Sequence, residues 1–261
     1  MRALVTGAGR RLGRAMALRL ARRGFDVAVH HATSGDEARA VAAEIEATGR
    51  RATALGADLL DEEATAALLP RAAGALGGPI TCLVNNASAF ERDSLATATR
   101  ESWDRHMGLH LRAPFRLIQA MAAQGLEPAR DADGEPSAAG LVVNMADEKA
   151  LRLAPDFLTY TLSKMALWDL TRLAAQALAP AIRVNAIGPG ATLRAPRQSE
   201  AHFARMRADA PLGRGADAQD VCAALDYLLG ARAVTGQMIA VDGGQHLAWT
   251  EPRPVPRPPE G

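Results

Sequence analysis

Short apolar runs alternate along the chain with longer amphipathic segments. The apolar runs predict seven strands, at Ala3–Thr6, Asp26–His30, Ala52–Ala57, Thr81–Asn85, Gly140–Met145, Arg183–Ile187 and Gln237–Val241. The amphipathic segments predict helices over residues 13–24, 36–48, 61–75, 102–124, 157–178 and 218–230. Strands separated by helices in this way are typical of a parallel sheet with helices on both faces. We therefore expect an α/β fold built on a doubly wound parallel sheet of about seven strands.

The regular alternation leaves no place for a domain boundary, so we expect one domain over residues 1–248. Residues Arg130–Ala139 contain Asp, Gly, Pro and Ser and predict a surface loop. The composition shifts only near the end, where five prolines occur within the nine residues Glu251–Pro259. Such a run fits neither a sheet nor a helix, and residues 249–261 are expected to form an extended tail.

The composition excludes several classes of protein. The 261 residues carry 30 basic and 29 acidic side chains, a balance that argues against a nucleic-acid or membrane-surface protein. Two cysteines, Cys82 and Cys222, exclude a disulfide framework or a zinc knuckle. No apolar run approaches the roughly 18 residues of a membrane span. A strand at Ala3–Val5 leads straight into Gly7, which argues against a signal peptide. We expect a reduced, soluble, cytoplasmic protein.

A glycine-rich turn follows the first predicted strand and leads into the first helix. It reads Thr6-Gly-Ala-Gly-Arg-Arg-Leu-Gly13. Glycines let the backbone turn tightly and approach a pyrophosphate, which then lies at the helix N-terminus. The pattern is weak alone, but a strand before it and a helix after it are the setting that a dinucleotide site requires.

The charge around this turn favours NADPH over NADH. An NAD site usually has Asp or Glu at the end of the second strand, but here that end reads His30-His-Ala-Thr-Ser34. Arg10 and Arg11 stand in the neighbouring turn and suit a 2′-phosphate. The two adjacent histidines are expected to pack or to line a polar edge, since no other ligand cluster accompanies them, and no metal is expected.

Tyr160 and Lys164 are four residues apart on a predicted helix and therefore share one face. The chain has two tyrosines and two lysines, so this pairing is a sharper signal than the glycines. A tyrosine with a pKa near 10 is a poor acid or base at neutral pH, and an ammonium group one turn away favours the phenolate. The pair predicts proton-transfer chemistry with a lowered Tyr160 pKa.

Taken together, these motifs resemble the short-chain dehydrogenase/reductase family over about residues 1–245. The residues that carry the resemblance are Thr6-Gly7, Gly13, Asn85-Asn86-Ala87, Tyr160, Lys164, Asn185, Pro189-Gly190 and Val241-Asp-Gly-Gly244. The resemblance implies a Rossmann-type domain, a nicotinamide cofactor, Tyr160 as proton donor and Lys164 lowering its pKa. It also implies Asp58 near the adenine and a homotetramer formed through the helices at 102–124 and 157–178.

Three departures from the family pattern refine the expectation. Arg11 replaces the second motif glycine, Asp147 replaces the serine expected 13 residues before the tyrosine, and His110 replaces an asparagine in the helix after Trp103. The first two, with Asn86-Ala-Ser-Ala-Phe90, are similar to pteridine reductases. His110 and the closing Gly243-Gly-Gln-His-Leu247 resemble their bacterial dihydromonapterin and dihydrofolate reductase relatives. Thr33 departs from that subgroup, which uses an arginine there near the 2′-phosphate.

The resemblance and these departures together imply which residues form the site. The expected catalytic residues are Asp147, Tyr160 and Lys164. The expected substrate contacts are Arg11, Ser88, Phe90, Asp147 and Tyr160, with Phe90 stacking on a flat pterin. The expected NADP(H) contacts are Gly7, Gly9, Arg10, Arg11, Leu12, Gly13, Thr33, Ser34, Asp58, Leu59, Asn85, Ala87, Ser88, Tyr160, Lys164, Pro189 and Gly190.

The expected activity is NADPH-dependent reduction of a 7,8-dihydropterin, such as dihydromonapterin, dihydrobiopterin or dihydrofolate. One alternative is a ketone or 3-oxoacyl reductase, against which Asp147 argues because an ionised carboxylate would repel a substrate carbonyl. Another is a silent nucleotide sensor, against which the intact Tyr160 and Lys164 argue, since binding alone requires no phenol at that position.

Overall fold

The computed structural model of the chain describes residues 1–194 and 198–248. Nine strands occur in this part of the chain: β1 (Arg2–Val5), β2 (Asp26–His31), β3 (Ala52–Gly56), β4 (Cys82–Asn85), β5 (Ala129–Arg130), β6 (Pro136–Ser137), β7 (Gly140–Met145), β8 (Ile182–Pro189) and β9 (Met238–Val241). Its α-helices are α1 (Arg11–Arg22), α2 (Gly35–Glu46), α3 (Glu62–Leu76), α4 (Arg100–Met107), α5 (Ala113–Ala122), α6 (Leu158–Leu178), α7 (Glu200–Ala208) and α8 (Ala218–Gly230). The predicted tail at 249–261 lies outside the described residues.

Seven strands form one parallel sheet in the order β3-β2-β1-β4-β7-β8-β9. This arrangement confirms the predicted doubly wound Rossmann-type fold. The strand order reverses between β1 and β4, and ligands of such sheets bind in the crevice beyond the carboxyl ends of the strands at that reversal. The loops after β1 and β4 therefore position the candidate site.

Helices cover both faces of the sheet. Successive side chains of β1 alternate between two cores: Ala3 and Val5 pack with α1, α2 and α8, whereas Leu4 packs with α3, α5 and α6. Every residue of β7 is buried. Because a parallel sheet is buried on both faces, its strands appear in the sequence as continuous apolar runs.

The predicted helix over residues 102–124 is interrupted. Residues Gly108–Arg112 form a π-helix between α4 and α5. Pro114 has no backbone N–H to donate to the carbonyl of His110, and its ring would crowd that carbonyl in a regular helix. The interruption turns His110 towards Ser163 on α6.

Two further elements differ from the sequence predictions. The predicted loop at 130–139 contains the short antiparallel hairpin β5–β6. The helix α7 was not predicted, and none of its residues is buried, so it lacks an apolar stripe that periodicity could detect. Within the described residues no helix is both long and apolar enough to cross a membrane.

Candidate active site

The glycine turn lies at the carboxyl end of β1, as predicted. Gly7 has a φ of +61°, which favours glycine. A Cβ at Gly13 would lie 2.3 Å from the carbonyl oxygen of Gly7, so α1 can begin this close to the turn only with glycine there. A Cβ at Gly9 would lie 2.9 Å from Ser34 Oγ. The turn is therefore packed tightly between α1 and the start of α2.

His30 forms hydrogen bonds that hold this turn in place, a role that was not predicted from the sequence. The Nδ1 atom of buried His30 accepts a hydrogen bond from the Gly7 N–H at 3.1 Å, and Nε2 donates to the Ala57 carbonyl at 3.1 Å. Burial lowers the pKa of His30 to about 4, so the ring is neutral at pH 7. His30 thus packs, as expected, and also links the ends of three strands.

The loop after β4 is joined directly to the glycine turn. The Nδ2 atom of Asn86 donates to the Thr6 carbonyl at 2.8 Å, and the Thr6 hydroxyl accepts from the backbone N–H groups of Asn86 and Ala87. Asn85 donates to Asn144 Oδ1 on β7 at 2.8 Å, and its own Oδ1 is buried without a partner among the described residues. Asn85 and Ala87 therefore lie beside the glycine turn, and their contact with the cofactor stays a prediction.

Arg11 is the one residue of the turn whose backbone departs from the usual region for a non-glycine side chain. Its φ is +54°, which explains why glycine is the usual residue at this position of the family motif. Its guanidinium donates to the carbonyls of Leu193 and Arg194 at 2.7 and 2.8 Å. Arg11 therefore spans the crevice to the loop after β8, and its contact with a phosphate or with substrate stays a prediction.

Arg10 and the end of β2, which are predicted to bind the 2′-phosphate, lie near the start of α2. Arg10 forms an exposed ion pair with Glu37 in the first turn of α2. Thr33 is exposed, and Ser34 precedes α2. The end of β2 itself carries no carboxylate, but the fold brings the Glu37 carboxylate of α2 to Arg10.

The other predicted cofactor residues lie around the crevice with unequal access to it. Asp58 is exposed after β3, whereas the side chain of Leu59 is buried in the core, so Leu59 can contact a ligand only through its backbone. Leu12 also packs against the core from α1. Gly190 donates its N–H to the Val241 carbonyl after Pro189, and a Cβ there would lie 2.6 Å from Asp242.

Asp147, Tyr160 and Lys164 meet at the carboxyl end of β7 as the sequence predicted. The Tyr160 hydroxyl donates to Asp147 Oδ2 at 2.6 Å. The Lys164 ammonium donates to the Met145 carbonyl at 2.6 Å and lies 5.6 Å from the centre of the Tyr160 ring. Asp147 Oδ1 accepts the Lys149 N–H, which fixes the carboxylate towards the phenol.

The predicted lowering of the Tyr160 pKa is wrong for this structure. Burial raises the pKa of Tyr160 well above its usual value of 10, and the charge and hydrogen bond of Asp147 raise it further. Burial lowers the pKa of Lys164 to about 8. The hydroxyl points to a carboxylate rather than to the ammonium group, so the phenol is protonated at neutral pH.

An aromatic wall borders the phenol. The rings of Phe90 and Phe157 stack with centres 4.3 Å apart, and Phe90 meets Tyr160 edge to face at 4.8 Å. Phe90 is 52% exposed, so its outer face is open to a ligand. Phe157, at the N-terminus of α6, was missed in the sequence because its role depends on a left-handed backbone with a φ of +60°.

The residues present fit a dinucleotide. Helix α1 begins without a side-chain cap at Arg10 and without an acidic residue in its first turn, so its first N–H groups can receive a pyrophosphate. Lys164 has two further N–H bonds for ribose hydroxyls besides the bond to Met145. Glycines, free helix N–H groups and a buried ammonium group at the strand reversal are the donor set that such a cofactor requires.

Comparison with known proteins agrees with this geometry. A family model described as enoyl-(acyl carrier protein) reductase matches residues 7–246. The crystal structure of FolM alternative dihydrofolate reductase 1 from Brucella suis in complex with NADP is 44% identical, covers 96% of this chain and 97% of its own, and has a TM-score of 0.88.

Two other relatives are similar over nearly the whole chain. A short-chain dehydrogenase from Burkholderia cenocepacia, solved in complex with NADP, is 34% identical, covers 94% of this chain and 97% of its own, and has a TM-score of 0.84. The 3-oxoacyl-[acyl-carrier-protein] reductase FabG of Staphylococcus aureus is 31% identical over 94% of this chain and 98% of its own length. With its glycine turn, its Tyr160 and Lys164 and its seven-stranded sheet, this chain belongs to the short-chain dehydrogenase/reductase family.

Proposed function

We propose that this chain uses NADPH to reduce a 7,8-dihydropterin, such as dihydrofolate, dihydrobiopterin or dihydromonapterin, to the tetrahydro form. One observation carries the proposal: the Tyr160 hydroxyl donates to a carboxylate, Asp147, beside an open aromatic face. The 44% identical neighbour is a dihydrofolate reductase, which supports the same substrate class.

NADP(H) is the cofactor that the family and its NADP-bound members support. When bound, it supplies a hydride. On this chain the first N–H groups of α1 would hold the pyrophosphate, and Lys164 would hold ribose hydroxyls. Arg10 would bind the 2′-phosphate in exchange for its exposed pairing with Glu37.

Reduction of the substrate C=N bond needs one hydride at carbon 6 and one proton at nitrogen 5. The protonated phenol of Tyr160 is the proton donor within the site, and its hydroxyl is aligned by Asp147. The proton can reach nitrogen 5 directly or through the carboxyl group, and solvent restores it afterwards. The Lys164 ammonium balances the negative charge that the phenol and carboxylate share during transfer.

The shape and charge of the site favour a flat, amino-bearing ring. Phe90 offers an exposed aromatic face at the mouth of the site, and stacking on it suits a planar heterocycle. Asp147 can accept hydrogen bonds from the amino-pyrimidine edge as well as from Tyr160, whereas serine could not carry the charge. Ser88 adds a hydroxyl on the same side.

A 3-oxoacyl or ketone reductase is the second candidate, favoured by the likeness to FabG. That chemistry stabilises a developing negative charge on a carbonyl oxygen, and the Asp147 carboxylate lies where it would repel that charge. A silent nucleotide sensor is less consistent with the site, because a buried Tyr160 paired with Asp147 serves no purpose in cofactor binding.

Steady-state kinetics with NADPH test the proposal. Dihydropterins, a 3-oxoacyl thioester and simple ketones are compared for the wild type and for Asp147→Ser. We expect dihydropterin turnover in the wild type, and loss of at least about tenfold in kcat/KM for Asp147→Ser, since a charge-assisted contact is removed. Brisk reduction of the thioester without any dihydropterin turnover would overturn the substrate assignment and leave the family assignment intact.

The proposal includes a homotetramer formed through the helices of segments 102–124 and 157–178. Three large apolar side chains on these segments are exposed on the single chain: Trp103, Phe115 and Leu173. Exposed apolar side chains on adjacent helices favour helix-to-helix association between copies. Light scattering after size exclusion measures the assembly, and a monomer at micromolar concentration would contradict it.

A further inference from the structure

His110 occupies the π-helical segment and is buried between two parts of the site. The side chain is 1% exposed. The ring lies 5.3 Å from the ring of Tyr160 in an edge-to-face contact and stacks on His106. A π-helical turn inside an α-helix is often found at functional sites. Here it places the His110 ring in contact with both the loop after β4 and α6.

The hydrogen bonds of His110 define its tautomer. Nε2 accepts from the backbone N–H of Ala89 at 3.1 Å, and an amide N–H can only donate. In the neutral ring the proton is therefore on Nδ1, which donates to Ser163 Oγ at 2.8 Å. The Ser163 hydroxyl in turn donates to the backbone carbonyl of Tyr160 at 2.6 Å. Burial, with the nearby Lys164 charge, lowers the pKa of His110, which agrees with a permanently neutral ring.

This chain of bonds connects the substrate loop to the catalytic helix. Its first member is the amide of Ala89, which lies between Ser88 and Phe90. Ser88 Oγ is also 3.0 Å from Nε2. Fixing the Ala89 amide therefore fixes the direction in which Phe90 leaves the loop. The last member is the backbone carbonyl of Tyr160 in the first turn of α6. The reacting hydroxyl belongs to the side chain of that same residue.

We infer that His110 is a positioning residue that holds residues 88–90 against α6, so that the Phe90 face stays parallel to the substrate plane and the site accepts flat heteroaromatic rings. The inference rests on the proposed function for the identity of the substrate. It assigns His110 no proton transfer to substrate, because both ring nitrogens are already engaged by protein groups.

Two substitutions separate the two ends of the imidazole. In His110→Asn the amide matches the place of Nδ1 and keeps the reach to Ser163, but it is too short to reach Ala89. In His110→Gln the amide oxygen reaches the place of Nε2 and can accept from Ala89. His202→Asn is the matched control, because His202 is exposed on α7, away from these contacts.

Four quantities are measured on each variant: KM and kcat for a dihydropterin, NADPH affinity as a test of folding, and hydrogen–deuterium exchange of the peptide covering residues 87–95. For His110→Asn we expect KM to rise about tenfold, equivalent to ~1.4 kcal/mol, with kcat nearly unchanged and faster exchange at 87–95. His110→Gln should recover part of both effects, and His202→Asn should match the wild type.

The inference is overturned if His110→Asn lowers kcat about tenfold or more while KM and exchange at 87–95 stay unchanged, since His110 would then act in proton transfer. Equal exchange in all variants also overturns it, whatever the substrate. If the wild type reduces no dihydropterin, the proposed function fails separately. The exchange data, with KM for whichever substrate is reduced, then still decide whether His110 holds the loop.

Discussion

The carboxylate of Asp147 should control the ionisation of Tyr160, and the chain offers a clean way to measure this. It has two tyrosines, and the second, Tyr227, is 57% exposed on α8. A Tyr227→Phe background therefore leaves a single phenol to titrate. Asp147→Asn in that background keeps an oxygen that can accept from the Tyr160 hydroxyl but removes the negative charge.

The structure gives the size of the effect. Tyr160 Oη lies 2.6 Å from Asp147 Oδ2. Two unit charges at that distance repel by about 1.6 kcal/mol in water and about 6 kcal/mol at an effective dielectric constant of about 20. At 1.36 kcal/mol per pKa unit, even the lower figure corresponds to about one unit. Removing the charge should thus lower the pKa of Tyr160 by at least about one unit, while burial still holds it above the usual value.

The assay is a pH titration of phenolate absorbance in the near ultraviolet, with circular dichroism recorded in parallel so that unfolding at high pH is recognised. The expected result is a phenolate transition at lower pH in the Asp147→Asn variant than in its parent, with both folded over the transition. Identical transitions in the two proteins would refute the reasoning, because they would mean that the hydroxyl and the carboxylate do not interact as the structure shows.

Three further predictions concern the buried His30, the Lys164 ammonium group and the pair of Arg10 with Glu37. Since burial holds the pKa of His30 at about 4 against the usual 6.5, stability should fall by about 3 kcal/mol as the pH drops from 6.5 to 4. In His30→Asn, the free energy of unfolding measured with urea should no longer show this loss at low pH. The same pH dependence in the variant and the wild type would contradict the prediction. Because the pKa of Lys164 is about 8, NADPH affinity should weaken as the pH rises past 8. An NADPH affinity that does not change between pH 8 and about pH 9 would contradict this. Arg10→Ala should lower the NADPH-over-NADH ratio of kcat/KM about tenfold and Glu37→Ala should raise it, whereas unchanged ratios would exclude Arg10 as the phosphate ligand.

The sequence predicted those parts of the fold that depend on local pattern. Strand β7 and helix α8 have the predicted bounds, and the other strands of the sheet differ by a residue or two at their ends. A fully buried parallel strand produces a continuous apolar run, and an amphipathic helix produces a regular stripe, so both are visible without the structure. The π-helix at Gly108–Arg112 is invisible in that pattern, because apolar spacing changes little when one turn widens.

The sequence also predicted which residues meet at the site, but not how they interact. Tyr160 and Lys164 share a helix face, and the family resemblance placed Asp147, which follows β7 by two residues, with them. The direction of the Tyr160 pKa shift could not be predicted in this way, because it depends on which of the two charges the hydroxyl faces and on burial. The partners of Arg11 depend on the path of a distant loop, which no local spacing encodes.

In the proposed reaction, a dihydropterin receives a hydride from NADPH and a proton from Tyr160. The most direct measurement follows deuterium from NADPH labelled at the transferred position into product by mass spectrometry, for the wild type and for Tyr160→Phe. We expect a tetrahydropterin carrying one deuterium from the wild type, and loss of most turnover with intact NADPH binding from Tyr160→Phe. An unlabelled or absent tetrahydropterin, with deuterium appearing instead in the alcohol formed from a 3-oxoacyl thioester, would contradict the account.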